Sequence, residues 1–252
     1  MWNLFPSGGG RGRQWLLPLV LLSPLALLSP DSPAETVEGE PDAPLVATVV
    51  GTEIRTRDPE EMRYWILRNL TDRYAAEKGI EVAPQEIDAY VESMARVAEK
   101  DRKEREGRRA EIEQQLGSAA LSDAERKDLS SELDSLKQLQ SNLEEMSGGD
   151  AEETRQARRT VAEAFIRQWK INQALYREYD GRIIFQQGGP EPLDAYRKFL
   201  EEREGQGDFQ IRDKDFEAAF WRYYITDSIH SFYPPGSEEE NQAFETPWWF
   251  AD

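Results

Sequence analysis

"EKGIEVAPQEIDAYV", residues 77–91, reads as the end of one helix, a short connection and the start of another. Gly79 is a helix stop and Pro84 fits the first position of the helix that follows. Upstream, Asp58 is placed to cap, Pro59 suits the first turn, and Glu61 stands three residues after the cap. Met62, Trp65, Ile66, Leu70 and Tyr74 then fall on one helical face. Before them "LVATVVGTEIRT", residues 45–56, is rich in Val, Ile and Thr and has Gly51 at a turn, so it reads as a strand or a tiny hairpin. Downstream, Ile87, Tyr90, Val91 and Met94 form the stripe of the second helix.

From about residue 99 charges of both signs dominate, and only Ile112 and Leu116 are large and apolar. Ser122 and Glu125 form a capping box, after which Leu129, Leu133, Leu136, Leu139 and Leu143 recur at helical spacing until "SGG". Two helices with a short turn predict an antiparallel hairpin, and its thin seam predicts a protruding arm whose charges face solvent. Asp150 with Glu153 opens a helix to Tyr179, with Val161, Phe165, Ile166, Trp169, Leu175 and Tyr179 on its apolar face. Gly181 ends it, "RIIFQQ" is a strand candidate, and "GGPEP" stops the chain before a restart at Pro192. Leu193, Tyr196 and Leu200 mark a short helix, and Asp213 or Asp215 starts a last one bearing Phe216, Phe220, Tyr224 and Ile229. From Tyr233 the tail reads as loop, although it carries Trp248, Trp249 and Phe250. The expected fold is mainly α: a multi-helix domain with a short β-hairpin or strand pair and a protruding antiparallel helical hairpin.

The 252 residues contain no cysteine, which excludes disulfides, thiolate metal sites and cysteine nucleophiles. Arg11 and Arg13 precede the apolar run "WLLPLVLLSPLALL" at 15–28, and Ser32 and Ala34 are small residues beyond it. That order predicts a secretory signal peptide cut after Ala34. The run, broken by Pro18 and Pro24, falls short of the ~20 apolar residues of a spanning helix, so no stable membrane insertion is expected once the signal is removed. The expected divisions are a signal at 1–34, a flexible acidic leader at 35–44 and the first helical part at 45–98. The charged hairpin at 99–150, the returning helix, strand and C-terminal helices at 151–232 and a tail at 233–252 follow. A net charge of −18 repels nucleic acid and anionic lipid.

Reactive groups are few. His230 is the only histidine, so no histidine cluster is available for a metal, and no nucleophile elbow or phosphate loop is present. Asp213 and Asp215 lack the glycine turn and terminal glutamate of a calcium loop, and the "NLT" sequon at 69–71 lies inside a helix. No cofactor and no catalytic activity are expected. Aromatic residues carry more information: seven tryptophans, nine tyrosines and ten phenylalanines exceed what single helix faces can bury. In "FWRYYITDSIHSFY" the rings of Phe220, Trp221, Tyr223 and Tyr224 cannot share one side of a helix. Either this helix is sandwiched between two elements or some rings line a polypeptide-binding groove. The candidate binding residues are Trp221, Tyr223, Tyr224 and, on the off-face of the first helix, Tyr64.

The stretch from Val46 to Met94 resembles the N-terminal domain of SurA-type periplasmic chaperones and related parvulin-type isomerases. The resemblance lies in "VATVVGTEIRT", the capped aromatic-aliphatic helix, "EKGIEV" and the Pro84-Gln85-Glu86-Ile87-Asp88 opening. Val50 stands where that pattern has Asn, and Ala83 where it has Ser or Thr. "AEAFIRQWKINQALYREYDGRIIF", residues 162–185, is similar to the returning helix and strand of the same domain. The enzymes of the family carry a histidine-containing parvulin domain, whereas a charged helical hairpin occupies residues 99–150 here. The resemblance implies a periplasmic, non-catalytic chaperone binding unfolded polypeptides. The alternatives are a dedicated assembly factor or fixed subunit of an envelope complex and, third, an isomerase-related protein of unknown activity.

Overall fold

The structure is a computed structural model, described here for residues 42–250 apart from Ala119, residues 148–150 and Gln187. The expected signal peptide at 1–34 lies outside the described residues, as does nearly all of the leader. The fold is mainly helical, with seven α-helices and two small antiparallel sheets among the described residues. No helix among them is long and apolar enough to cross a membrane.

The stretch at 45–56 is a hairpin, β1 (Leu45–Val49) and β2 (Thr52–Arg55), closed by Val50 and Gly51. Both turn residues are left-handed, at φ 48° and 83°, as a two-residue turn between right-twisted strands requires. Glycine adopts that conformation freely, whereas a β-branched valine is strained in it. Helix α1 (Pro59–Lys78) follows. Its Asp58 cap accepts from the Glu60 amide at 2.9 Å, and Gly79 closes it at φ 62°. The cap is wired differently from the expected box: Thr56 donates its hydroxyl to Glu61 and accepts the Asp58 amide at 3.0 Å. Ala83 offers no capping side chain to α2 (Pro84–Leu116), and Glu86 instead accepts the Ala83 amide at 2.7 Å.

Helix α2 runs 33 residues without a break at 99, so the arm is an extension of a body helix. Its distal half, roughly 27 Å at 1.5 Å per residue, packs against α3 (Asp123–Ser147), which Ser122 and Glu125 cap reciprocally at 3.3 and 2.9 Å. In the seam of the arm Ile112 and Leu133 are buried, while Leu129, Leu136, Leu139 and Leu143 are half-buried. A forked pair, Arg108 on Glu132 at 2.8 and 2.8 Å, and Arg109 on Gln140 at 2.8 Å set the register.

Helix α4 (Ala151–Tyr179) returns along α2 and buries Ala162, Ile166, Trp169, Ile171 and Leu175. Val161, expected on that face, is 43% exposed, because the stripe rotates to Ala162. Asp180 and Gly181 turn the chain at φ 53° and 130°, into β3 (Ile184–Gln186). "GGPEP" is more than a stop: Gly189–Glu191 is strand β4, paired with β3. Helix α5 (Leu193–Gly205) buries Leu193, Tyr196 and Leu200. A strand not expected from the sequence, β5 (Phe209–Ile211), then joins β1 to give the order β2-β1-β5. Asp213 caps α6 (Lys214–Ile225), accepting at 2.8 and 3.1 Å from the amides of Asp215 and Phe216. Ile229 lies beyond the end of α6 and is 51% exposed, which removes it from the expected stripe. The tail, expected as loop, contains α7 (Glu238–Gln242) and a final helical turn at Trp248–Phe250.

Two buried clusters result. The first joins β1, β2, α1, β5, α5, α6 and the C-terminal part of α4, through residues such as Ile54, Ile66, Leu175, Phe199 and Phe220. The second joins α2, α4 and the tail through Ile87, Tyr90, Ile166, Trp169, Phe244 and Trp249.

Two outcomes follow from this architecture. Val50→Asn is expected to raise stability by about 0.5–1 kcal/mol, because asparagine tolerates the left-handed region better than valine; a lower melting temperature would contradict that. Replacing 101–148 by a Gly/Ser linker should keep one cooperative melting transition, since neither cluster includes an arm residue and loop closure is cheap. Loss of cooperativity would place the arm inside the folding core.

Candidate functional site

The four candidate rings do not converge. Tyr224 is 2% exposed and packs with Phe220 at 5.8 Å, so it belongs to the first cluster and cannot touch a ligand on the folded surface. Trp221 is half-buried, edge-on to Phe220 at 5.2 Å and to Tyr224 at 6.2 Å. Tyr64 is 47% exposed; its ring meets Trp65 at 5.2 Å and its hydroxyl accepts from Arg68 at 3.4 Å. Among the described residues no ring contact joins Tyr64 to the α6 rings. Helix α6 is packed between α1 and α5, the sandwiched arrangement that the ring count allowed.

Tyr223 sits in a small polar network. Its hydroxyl donates to the Glu191 carboxylate at 3.1 Å and accepts from the Gln186 amide at 2.8 Å. The Arg63 guanidinium lies 4.5 Å above its ring, which ties α1 to α6. His230 meets the ring edge at 4.8 Å, and its Nε2 lies 2.6 Å from the Tyr223 carbonyl; a carbonyl only accepts, so Nε2 carries the proton there. Burial pushes the Glu191 carboxyl up from the ordinary carboxylate range, against the pull of the Tyr223 hydrogen bond. These contacts hold β3, β4, α1 and α6 together. Among the described residues no cluster of three or more His, Asp or Glu side chains could hold a metal.

A separate aromatic cluster lies in the cleft between α2 and α4. Ion pairs of Asp88 with Arg159 and of Glu86 with Lys170, the second at 2.6 Å, clamp the two helices. Tyr90 and Ser93 from α2, and Phe165, Ile166 and Trp169 from α4, line the cleft, and residues 243–250 fill it. The Trp249 ring lies 5.1 Å from Tyr90 and 5.8 Å from Trp169. Trp248 is edge-on to Phe165 at 6.0 Å and to Tyr90 at 6.3 Å, and Phe244 meets Tyr176 at 5.1 Å. Gly189 forms the floor under Trp248: a Cβ there would come within 2.5 Å of the indole. Burial among these rings raises the Tyr90 hydroxyl to about 12.

Polar contacts to the segment go to its backbone. The Ser93 hydroxyl donates to the Trp249 carbonyl, and the Gln173 amide to the Phe244 carbonyl. The indole N–H groups are less well served. Those of Trp169, Trp248 and Trp249 are buried without a hydrogen-bond partner among the described residues. Each such donor costs about 1–3 kcal/mol relative to a satisfied one. The cleft therefore holds its occupant by ring area and two carbonyl contacts, at a polar cost.

Sequence reasoning missed this site because the tail has no periodicity. Its signal was the isolated "PWWF" at 247–250, a dense aromatic group that needs a surface to cover it.

No protein-family model matches the chain, and neither a curated protein nor a solved structure matches it. The resemblance to SurA-type chaperones accordingly rests on the residues quoted for it.

The pair Trp221→Ala with Tyr224→Ala is expected to destabilise severely, with about 3–5 kcal/mol from the buried Tyr224 ring alone. Tyr64→Ala should change stability by less than about 1 kcal/mol, as is usual for surface positions. Chemical denaturation of the three chains checks this, and a double variant as stable as the wild type would show that Tyr224 is no core residue.

Proposed function

We propose that this is an exported, non-catalytic protein that binds other polypeptides in the manner of a periplasmic chaperone. The observation that carries the reading is the α2–α4 cleft, whose chemistry suits a segment of polypeptide. It offers rings on both walls, a glycine floor that admits an indole, and side-chain donors that take main-chain carbonyls. Every polypeptide has carbonyls, so those two donors recognise chain without reading sequence. Rings add apolar area with few rotors to freeze, which suits varied ligands. The candidate surface on α1 and α6 contributes less: Tyr64 and the half-buried Trp221 remain as an accessory contact, without Tyr224. The signal-like N-terminus and the resemblance support export to the periplasm.

A dedicated assembly factor is the second reading, and the arm favours it. Its long solvated surface, tied only along one side to α2, suits one fixed partner better than many unfolded ones.

The test is suppression of aggregation of a chemically denatured test protein by the purified chain. Phe165 is half-buried, stacked 6.1 Å from Tyr90, and lines the cleft without anchoring the first cluster. Phe165→Ala is expected to lose at least half of the suppression while the melting temperature falls by only a few degrees, roughly 2–4 °C per kcal/mol at this size. A wild-type chain with no effect on aggregation sinks the broad reading. A single partner crosslinked from position 165 in cells would favour the dedicated one.

A further inference from the structure

We propose that residues 243–250 are a detachable ligand which the chain supplies to its own cleft, so that an incoming polypeptide binds only by displacing them. This rests on the polypeptide-binding reading and adds its regulation and ligand class.

The attachments of the tail are arranged for release. Its last backbone anchor is at residues 231–233, where Phe185 donates to the Ser231 carbonyl at 2.8 Å and Tyr233 to the Ile183 carbonyl at 3.0 Å. Phe185 and Tyr233 also stack there at 3.8 Å. Beyond that point comes Pro234-Pro235-Gly236, with Gly236 at φ 74°. From residue 234 to 250, every backbone–backbone hydrogen bond among the described residues stays inside the segment. Among the described residues, only the two side-chain donors Ser93 and Gln173 hydrogen-bond it to the body. The segment therefore shares no backbone ladder with the body.

Three further observations agree. Of the four buried side-chain donors without a partner among the described residues, three are the indoles of this seam, so undocking returns Trp248 and Trp249 to water and frees Trp169 for another acceptor. The acidic side chains Glu238, Glu239, Glu240 and Glu245 make no ion pair with the body among the described residues, and the chain as a whole carries −18, so charge does not hold the tail down. The tail belongs wholly to the second cluster, whereas α1, α5, α6 and the three-stranded sheet are assembled by the first. Release therefore need not melt the body. The competing ligand class is set by the vacated sites: a short turn-forming segment with two adjacent large aromatic residues, its carbonyls free to accept from Ser93 and Gln173.

The experiment uses full-length chains and one probe, a fluorescein-labelled peptide of residues 241–252, with binding read by anisotropy. Trp248→Ala, which removes the half-exposed indole, and Trp248→Ala with Trp249→Ala are the tail-weakened chains. The expected result is peptide binding at least 10-fold tighter to the double variant than to the wild type, with the single variant between them. Adding Phe165→Ala, which removes a ring that Trp248 packs against, should remove most of the gain. If no chain binds the peptide while all stay folded by circular dichroism, the cleft is no peptide site and both readings fall. Equal binding to wild type and variants leaves the polypeptide reading standing and overturns the displacement. If the single variant, as well as the double, loses its cooperative melting transition, the tail is a permanent part of the core and the proposal is wrong.

Discussion

Helix α4 is one wall shared by two cores, and the rest of the structure depends on that sharing. Ile171 and Leu175 face the first cluster, and Ala162, Ile166 and Trp169 the second. A helix with a single apolar stripe can serve only one side, and α4 serves two because its stripe drifts along its length. A buried polar residue fixes its rotation between them. Asn172 donates to the Pro190 carbonyl at 3.0 Å and accepts from Tyr196 and Gln168 at 2.8 and 2.8 Å, which ties β4 and α5 to the helix. Asn172 is 7% exposed, so leaving these groups unpaired would cost more than the bonds gain, and rotation of the helix is correspondingly restricted. At the far end the Tyr74 hydroxyl on the Glu178 carboxylate, at 2.7 Å, holds α1 against the same helix.

What the sequence made legible was local. Asp58, Ser122 with Glu125, and Asp213 start helices because their side chains accept from nearby amides, and Gly79 ends one because at φ 62° its own N–H donates to the Ala75 and Ala76 carbonyls. The hairpin at Val50 and Gly51 was legible for the same reason, as was the arm, whose thin leucine seam depends on residues three and four apart. Strand β5 was not legible. Three residues have no pattern of their own and are a strand only because β1 offers an open edge, with Arg212 donating to the Val46 carbonyl at 2.8 Å. The tail was hidden by the same logic at longer range, since Trp249 finds Tyr90 across 159 residues of chain.

The candidate rings show the limit of counting faces. Phe220, Trp221, Tyr223 and Tyr224 do point to different sides of α6, as helical geometry requires. Of the two arrangements the count allowed, Tyr224 falls in the sandwiched one, because α1, α5 and β5 cover more than one side of the helix. Tyr223 was accommodated in another way, by giving its hydroxyl two polar partners and its ring a guanidinium. An excess of rings on one helix is therefore as well explained by several neighbours as by a groove. Only the position of the neighbours distinguishes the two.

The α2–α4 cleft differs from the first cluster in how its polar groups are treated. Around the first cluster the buried amide and hydroxyl side chains are paired, Asn172 with three partners and Thr71 with the Leu67 carbonyl at 2.8 Å, and the orphan donor there among the described residues is Arg203 Nε. In the cleft three indole donors go without. A permanent core gains nothing from such orphans, and placing a hydroxyl or carbonyl near each would be a small change in sequence. A surface that must accept chains of different sequence cannot place an acceptor for each indole, because the side chains presented to it vary. It can place donors only for what does not vary, the main-chain carbonyls, and Ser93 and Gln173 occupy those positions. On the proposed polypeptide-binding reading, satisfied backbone with unsatisfied side chains is what a surface open to chains of varied sequence would show.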